Sequence, residues 1–321
     1  MTPKMLRIGS RGSELALWQA RWVQGELARF HPGLETSIEI IKTTGDRILD
    51  SPLSKIGDKG LFTREIEQAL LSGGIDLAVH SLKDLSTELP SGLALGAISK
   101  REDVRDVFIP HPRNPVRKLL DQAHGATIAT GSLRRKSQLL SLRHDVRIVD
   151  IRGNLNTRLK RLEESNWAGM LLARAGVVRL GWADRIGETL EPDVMLPAVG
   201  QGALGVEIRE DDATTARLVK CLHSWESATA ATAERSLLRT LEGGCQIPIG
   251  TYGRIERSEQ GQYRLLLDAV VGSLDGRKLV RGKNHGHPDD ADALGCQLAD
   301  TLLASGADEI LNEIRAGSPP A

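Results

Sequence analysis

Cysteine is scarce in this chain: Cys221, Cys245 and Cys296 stand far apart, odd in number and outside any CxxC pair. That argues against a disulfide framework or a zinc site, and it fits a reducing cytoplasm. The histidines are scattered without metal-ligand spacing, so no metal is assigned. Aromatic residues make up 3% of the sequence, too few for the stacking platforms that single-stranded nucleic acid uses. Charge of one sign is also missing, with Lys+Arg 42 against Asp+Glu 42. No overall basic coat points to nucleic acid, although a local basic cleft stays open. No apolar run approaches the ~18–20 residues of a membrane helix, and Met1 to Ser13 holds no apolar signal segment. The expectation is a cytoplasmic globular protein, and 321 residues suffice for two or three domains with their own cores.

Short aliphatic runs alternate with segments of helical period over the first two hundred residues. Leu6–Gly9, Ser37–Ile41, Ile75–Val79, Leu93–Ile98, Thr127–Ala129, Val146–Ile151 and Met170–Ala173 read as strands. Several are continuously apolar, as parallel strands covered on both faces are. Leu15, Trp18 and Trp22 share a helical face that stops at His31-Pro32-Gly33. Ile66, Ala69 and Leu70 form a second stripe after a Thr63 N-cap, ended by Gly73-Gly74, and Leu155, Leu159 and Leu162 form a third. This alternation predicts α/β layers. Near residue 225 the pattern changes to a helix over Ser227–Leu241, alternating strands around Tyr263–Val271, an Asp275-Gly276 hairpin, a polar stretch at Arg281–Asp290 and a last helix near Ala291–Leu303. A separate, smaller α+β domain follows from that change. Ser99–Arg105 and Pro197–Ala203 are the hinge candidates.

The informative feature is where the cations sit. Four times a strand runs into a small-residue loop that carries a cation before a helix: Arg11-Gly12-Ser13, His80-Ser81-Leu82-Lys83-Asp84, Thr130-Gly131-Ser132-Leu133-Arg134-Arg135, and Arg152-Gly153-Asn154-Leu155-Asn156-Thr157-Arg158. A helix N-terminus already carries about +0.5 charge, so a cation there is disfavoured by roughly 0.3–1 kcal/mol. Repetition calls for an anion supplied from outside, held by free N–H groups, hydroxyls and arginine forks. Taken singly, each arginine reads as an ordinary solvated or locally paired side chain. Four at strand C-terminal ends point to a polyanion-binding cleft, because open α/β sheets place ligands there. None of these loops reads GxxxxGK(S/T) or GxGxxG, so a nucleotide loop is not indicated.

Asp84, a carboxylate among those cations, reads either as a structural partner of Lys83 or as a group that holds an N–H donor or a developing cation. Cys245 has two readings as well. Free cysteines are mostly buried and inert, but the flanking Gly243-Gly244 and Pro248 suggest an exposed loop where a thiolate acts as nucleophile. Cys221 and Cys296 lie in helical patterns and read as packing residues.

Seven blocks in order now carry a resemblance: Ser10–Ala20, Lys59-Gly60-Leu61-Phe62, His80–Asp84, Gly131–Arg135, Arg152-Gly153-Asn154, Leu196–Ala203 and Leu241–Cys245. From about Leu6 to the last helix the chain resembles the porphobilinogen deaminases, or hydroxymethylbilane synthases, of tetrapyrrole (haem) biosynthesis. The resemblance implies a transferase that joins four porphobilinogen units head to tail and releases four ammonia molecules. It implies one dipyrromethane cofactor, held by a thioether to Cys245. It also implies two α/β domains like those of type II periplasmic binding proteins, with an interdomain cleft, plus the smaller α+β C-terminal domain. The expected bounds are 1–99 with 203–222 for the first, 103–196 for the second and 225–321 for the third, which presents the cofactor loop.

By the same resemblance Lys83, Ser81, Ser13, Thr130, Ser132, Arg134, Arg135 and Arg158 hold the cofactor. Arg11, Arg152, Arg158, Arg179 and Gln201 bind substrate, whose acetate and propionate answer the cations. Lys55, Lys59 and Phe62 belong to a lid. Asp84 is the catalytic group: loss of ammonia leaves an azafulvene whose protonated form is a cation for it to stabilise. The implied partners are porphobilinogen alone, with no nucleic acid and no membrane. A monomer is expected, its product passing to uroporphyrinogen-III synthase.

The chain departs from the family pattern at Leu85-Ser86, where Val-Pro is common, which predicts a less rigid turn after Asp84. Gly12 and Glu14 replace residues that are often Gln and Pro, predicting a looser first loop, and Asp58 stands where glycine is usual. A non-enzymatic anion-binding protein of the solute-receptor type is the competing reading; it leaves Cys245 and the third domain unexplained. A polyphosphate or RNA binder is a third, disfavoured by the neutral charge and few aromatics.

Overall fold

The computed structural model describes residues 5–47, 61–241 and 247–317. By internal contacts the chain forms two compact units. Of the described residues, the first comprises 5–47, 61–102 and 200–228, and the second 103–199, 229–241 and 247–317. The chain passes between them at 102/103 and 199/200, inside both hinge candidates, and again at 228/229.

In the first unit β1 (Met5–Ser10), β2 (Glu35–Ile40), β3 (Leu77–Ser81), β4 (Leu93–Ile98) and β10 (Leu204–Arg209) form a sheet of order β2-β1-β3-β10-β4. β1 runs parallel to β2 and β3, and β10 antiparallel to β3 and β4. Helix α1 (Glu14–Phe30) packs Ala20, Val23 and Leu27 against Leu6, Ile8, Leu77 and Val206. This unit also holds the short helices α2 (Thr44–Arg47) and α7 (Ala213–Val219), and its helix α3 (Arg64–Leu71) joins Ile66 and Leu70 to Ile75, Ala78 and Leu93. Both faces are covered, which is why the strands read as continuous aliphatic runs.

The second unit repeats this order in β7-β6-β8-β5-β9: β5 (Asp106–Pro110), β6 (Thr127–Ala129), β7 (Arg147–Val149), β8 (Gly169–Ala173) and β9 (Glu188–Leu190). β6 is parallel to β7 and β8, while β5 is antiparallel to β8 and β9. Each sheet thus takes its antiparallel strand, β5 or β10, directly after a passage between units. A third, antiparallel sheet of β11 (Ile249–Arg257), β12 (Tyr263–Gly272) and β13 (Leu279–Gly286) belongs to the second unit. Helices α8 (Trp225–Thr240) and α9 (Ala291–Leu302) bury Ala233, Leu237, Leu294 and Leu298 against Leu265, Leu267 and Ala269. The fold is α/β twice over with a small α+β appendage.

Several local expectations need correction. The buried face of α1 is Ala16, Gln19, Ala20, Val23 and Leu27, while Leu15, Trp18 and Trp22 flank it half-exposed. Thr63 precedes α3 but makes no side-chain cap hydrogen bond. The polar stretch from Arg281 is β13, an edge strand with Arg281, Lys283 and His285 exposed. Its Gly282 and Gly286 sit so close under Leu298, Leu302 and Leu294 that a Cβ there would meet them at 2.9–3.0 Å. After Asp84 no proline is needed to hold the turn. Leu85 is buried against Gly205, and its N–H closes onto the Leu82 carbonyl at 3.2 Å.

Candidate active site

In the first unit the candidate residues lie where β1 and β3 end side by side, with Gly9 opposite Ala78. Ser13 caps α1, its Oγ accepting from Ala16 N at 3.3 Å, and Glu14 adds favourable charge to the first turn. The first loop is therefore capped despite its Gly12 and Glu14. Arg11 lies over the Phe62 ring, 4.3 Å from its centroid, a cation–π contact worth about 0.5–1 kcal/mol at exposed sites. Gln19, buried in α1, donates to Ser81 Oγ at 2.9 Å and ties the end of β3 to the helix.

No α-helix follows β3. Leu82–Asp84 is a single 3-10 turn, so the second loop lacks the helix entrance expected there. The turn leaves Lys83 half-buried and Asp84 exposed. Among the described residues Asp84 makes no side-chain hydrogen bond or ion pair, so its carboxylate has its full accepting capacity for a ligand. Gln201 is buried, and its carbonyl accepts from Arg101 Nε at 2.7 Å.

In the second unit the loops after β6, β7 and β8 leave one edge of the sheet, because these three strands are parallel. Thr130 N–H donates to the Val149 carbonyl at 2.9 Å. Gly131 presses so close to Ile151 that a Cβ would meet its carbonyl oxygen at 2.7 Å. The structure thus brings the Thr130–Arg135 loop against the Asp150–Arg158 loop. Ser132 caps α4 (Leu133–Leu142) through Arg135 N, and Thr130 Oγ1 accepts from Ser132 N at 3.2 Å. Asn154 caps α5 (Leu155–Glu164) through Thr157 N at 2.9 Å. Arg152 Nε donates to Asp150 at 3.2 Å, and Arg158 Nε to the Gly153 carbonyl at 2.8 Å. Arg179 closes α6 (Arg174–Arg179), half-buried.

The premise of an outside anion needs revising for Arg134 and Arg135. Both are buried, 4% and 5% exposed, and share a counter-ion that sequence reasoning missed. Asp106, 0% exposed, accepts from Arg134 Nη1 at 2.6 Å and from Arg135 Nη2 at 2.8 Å. Burial alone would push the Asp106 carboxyl up; the two guanidinium charges overcome that and hold it well below the usual carboxylate range. Two guanidiniums against one carboxylate still leave a buried positive charge beside a helix N-terminus. Arg135 Nε, also buried, has no hydrogen-bond partner among the described residues. The donor set therefore fits an acidic ligand, by one charge and one free N–H. The only sequence signal for Asp106 was a lone carboxylate opening the apolar run Val107-Phe108-Ile109.

Cys245, Lys55, Lys59 and the departure at Asp58 lie outside the described residues. Cys221 and Cys296 are free and half-buried. Cys221 Sγ lies 3.2 Å from the Leu218 carbonyl and Cys296 Sγ 3.1 Å from Ser236 Oγ, as packing residues do. Burial pushes the Cys221 thiol up, away from reactivity.

Comparison with known proteins gives two family matches: "Porphobilinogen deaminase, dipyromethane cofactor binding domain" over residues 6–217, and "Porphobilinogen deaminase, C-terminal domain" over 228–304. A porphobilinogen deaminase of Chloroherpeton thalassium is 52% identical over 316 residues, 97% of this chain and 98% of that protein. One from Chlorobium phaeobacteroides is 53% identical over the same coverage. Among solved structures, the BenM effector-binding domain with benzoate covers 69% of this chain and 91% of its own, at 15% identity and a TM-score of 0.42.

Proposed function

The chain belongs to the porphobilinogen deaminase family, and we propose that it condenses four porphobilinogen molecules with release of four ammonia molecules and, by hydrolysis with one water, frees linear hydroxymethylbilane. It contains a dipyrromethane cofactor-binding domain. What carries the reading within the structure is the Arg134–Asp106–Arg135 cluster, a buried excess of positive charge where the family has its cofactor-binding domain.

Our assignment of roles follows the motif matches. Cys245 bears the cofactor as a thioether. Arg134, Arg135, Arg158, Lys83, Ser13, Ser81, Thr130 and Ser132 hold its carboxylates. Arg11, Arg152, Arg158, Arg179 and Gln201 receive substrate, and Lys55, Lys59 and Phe62 form a lid. Three domains at 1–99 with 203–222, 103–196 and 225–321 are part of this proposal, supported by the three separate sheets. So are a cytoplasmic location, a monomeric state and transfer of the product to uroporphyrinogen-III synthase. No helix among the described residues is long and apolar enough to cross a membrane.

When bound, the cofactor supplies a free pyrrole α-carbon as nucleophile. The arginines fix carboxylates and so convert an encounter of two pyrroles into an oriented one. Asp84, exposed and unpaired among the described residues, accepts pyrrole N–H bonds and faces the positive charge that appears as ammonia leaves. At ~4 Å and an effective dielectric near ~20 such a contact is worth about 4 kcal/mol before desolvation, close to ~10³ in rate. The test is incubation of the purified protein with porphobilinogen. One hydroxymethylbilane for every four ammonia molecules is expected; binding without turnover would return the chain to the anion-binding class.

A further inference from the structure

Gln138 is neutral, buried to 2% exposure and one helical turn beyond Arg134 on α4. Its side-chain amide grips the backbone of Leu196 at both ends. Gln138 Oε1 accepts from Leu196 N at 2.9 Å, and Gln138 Nε2 donates to the Leu196 carbonyl at 3.1 Å. The amide stands in for a neighbouring strand, satisfying two backbone groups that are buried in an irregular segment.

The same Leu196 carbonyl accepts from Arg134 Nη1 at 2.6 Å, the atom that also bonds Asp106. Both lone pairs of that oxygen are thus occupied, one by Gln138 and one by Arg134. On the other side the segment carries β11. The Pro197 carbonyl accepts from Thr251 N at 2.9 Å. Gly250 packs so tightly on Leu196 that a Cβ would meet the carbonyl oxygen at 2.9 Å. β11 is the strand that leads away from the Cys245 segment. One short backbone stretch therefore touches both the buried arginine and the strand following the thiol, and Gln138 ties it to α4 alongside Arg134, being the side chain that holds both its N–H and its carbonyl.

We propose that Gln138 is a positioning residue of this reaction: by clamping Leu196 it sets the orientation of Arg134 and anchors β11 relative to it. The inference rests on the reading that Arg134 and Cys245 hold one cofactor. A shift of about 1 Å between groups that fix one ligand costs on the order of 10² in rate, so loss of the clamp acts on turnover as well as on stability.

Two variants test it in the full-length, cofactor-bearing enzyme. Gln138→Met keeps length and helix preference and removes both bonds. Gln138→Glu keeps the acceptor for Leu196 N and loses the donor to the carbonyl. Amide hydrogen exchange at Leu196, cofactor content by intact mass, and kcat and KM per cofactor-loaded molecule are read together. Exchange at Leu196 is expected to speed up at least tenfold in Gln138→Met and to stay slow in Gln138→Glu. In both, kcat falls at least tenfold while KM moves less than about threefold, because the cofactor side of the reaction is displaced. Unchanged Leu196 exchange in Gln138→Met overturns the clamp. Fast exchange with wild-type kcat per loaded molecule overturns the positioning role and leaves a purely structural bond. Should Gln138→Met fail to fold, wild-type kcat in Gln138→Glu overturns the proposal and a tenfold loss upholds it. Failure of the underlying reading is visible separately, as wild-type protein without pyrrole mass at Cys245.

Discussion

His80 Nε2 and Glu207 Oε2 face each other at 3.2 Å across β3 and β10, at 5% and 0% exposure. Glu207 Oε1 has no partner among the described residues, so this one hydrogen bond is what compensates a fully buried carboxyl. The pair joins the strand that runs into the Asp84 turn to the strand that re-enters the first unit. Leaving a buried polar group without its hydrogen bond typically costs about 1–3 kcal/mol. His80→Ala is expected to lose that much in urea unfolding; a loss under about 1 kcal/mol would show that Glu207 finds another partner.

Glu67, buried on α3, titrates high. Burial pushes its carboxyl up, and Glu207 adds to this against the opposing Thr63 hydrogen bond and the His80 and Arg64 charges. A carboxyl raised in the fold contributes fully below the unfolded value of about 4.3, and that contribution is lost as pH rises through the folded value. Glu67→Gln cannot ionise. It is therefore predicted to melt higher than wild type at pH 7 and to show a flatter melting profile from about pH 4.3 upward. Equal profiles would mean that Glu67 is as well solvated in the fold as in the unfolded chain.

Asp84→Asn keeps the shape of the 3-10 turn and removes the charge. Cofactor content by mass is expected to stay near wild type while turnover falls by about 10³, the value of one close ionic contact. Near-normal turnover would take Asp84 out of the mechanism.

Arg134→Ala and Arg135→Ala each remove half of the Asp106 cradle. Both are expected to lower the fraction of protein carrying two pyrrole units, or to stall chain growth, visible as partly extended species after a limited pulse of porphobilinogen. Unchanged loading and kinetics would mean that the pair serves only the fold.

Strands with uninterrupted aliphatic character, such as Leu93–Ile98 and Thr127–Ala129, were legible in the sequence. β5 and β10 were not, because each carries a buried charge that breaks the pattern. Asp106 finds its partners 28 and 29 residues away and Glu207 its partner 127 residues away, distances over which one sequence gives no pairing signal. β13 was hidden by glycines whose purpose, room for α9, exists only in three dimensions. The site loops stood out because misplaced cations recurred. Asp106 and Gln138 did not, since one carboxylate and one amide in apolar surroundings form no repeated pattern.

The most direct measurement is the intact mass of the purified protein, with peptide mapping across residues 241–253. The account predicts the mass of two linked pyrrole units above the sequence mass, all of it on Cys245. An active enzyme with an unmodified Cys245 would contradict it.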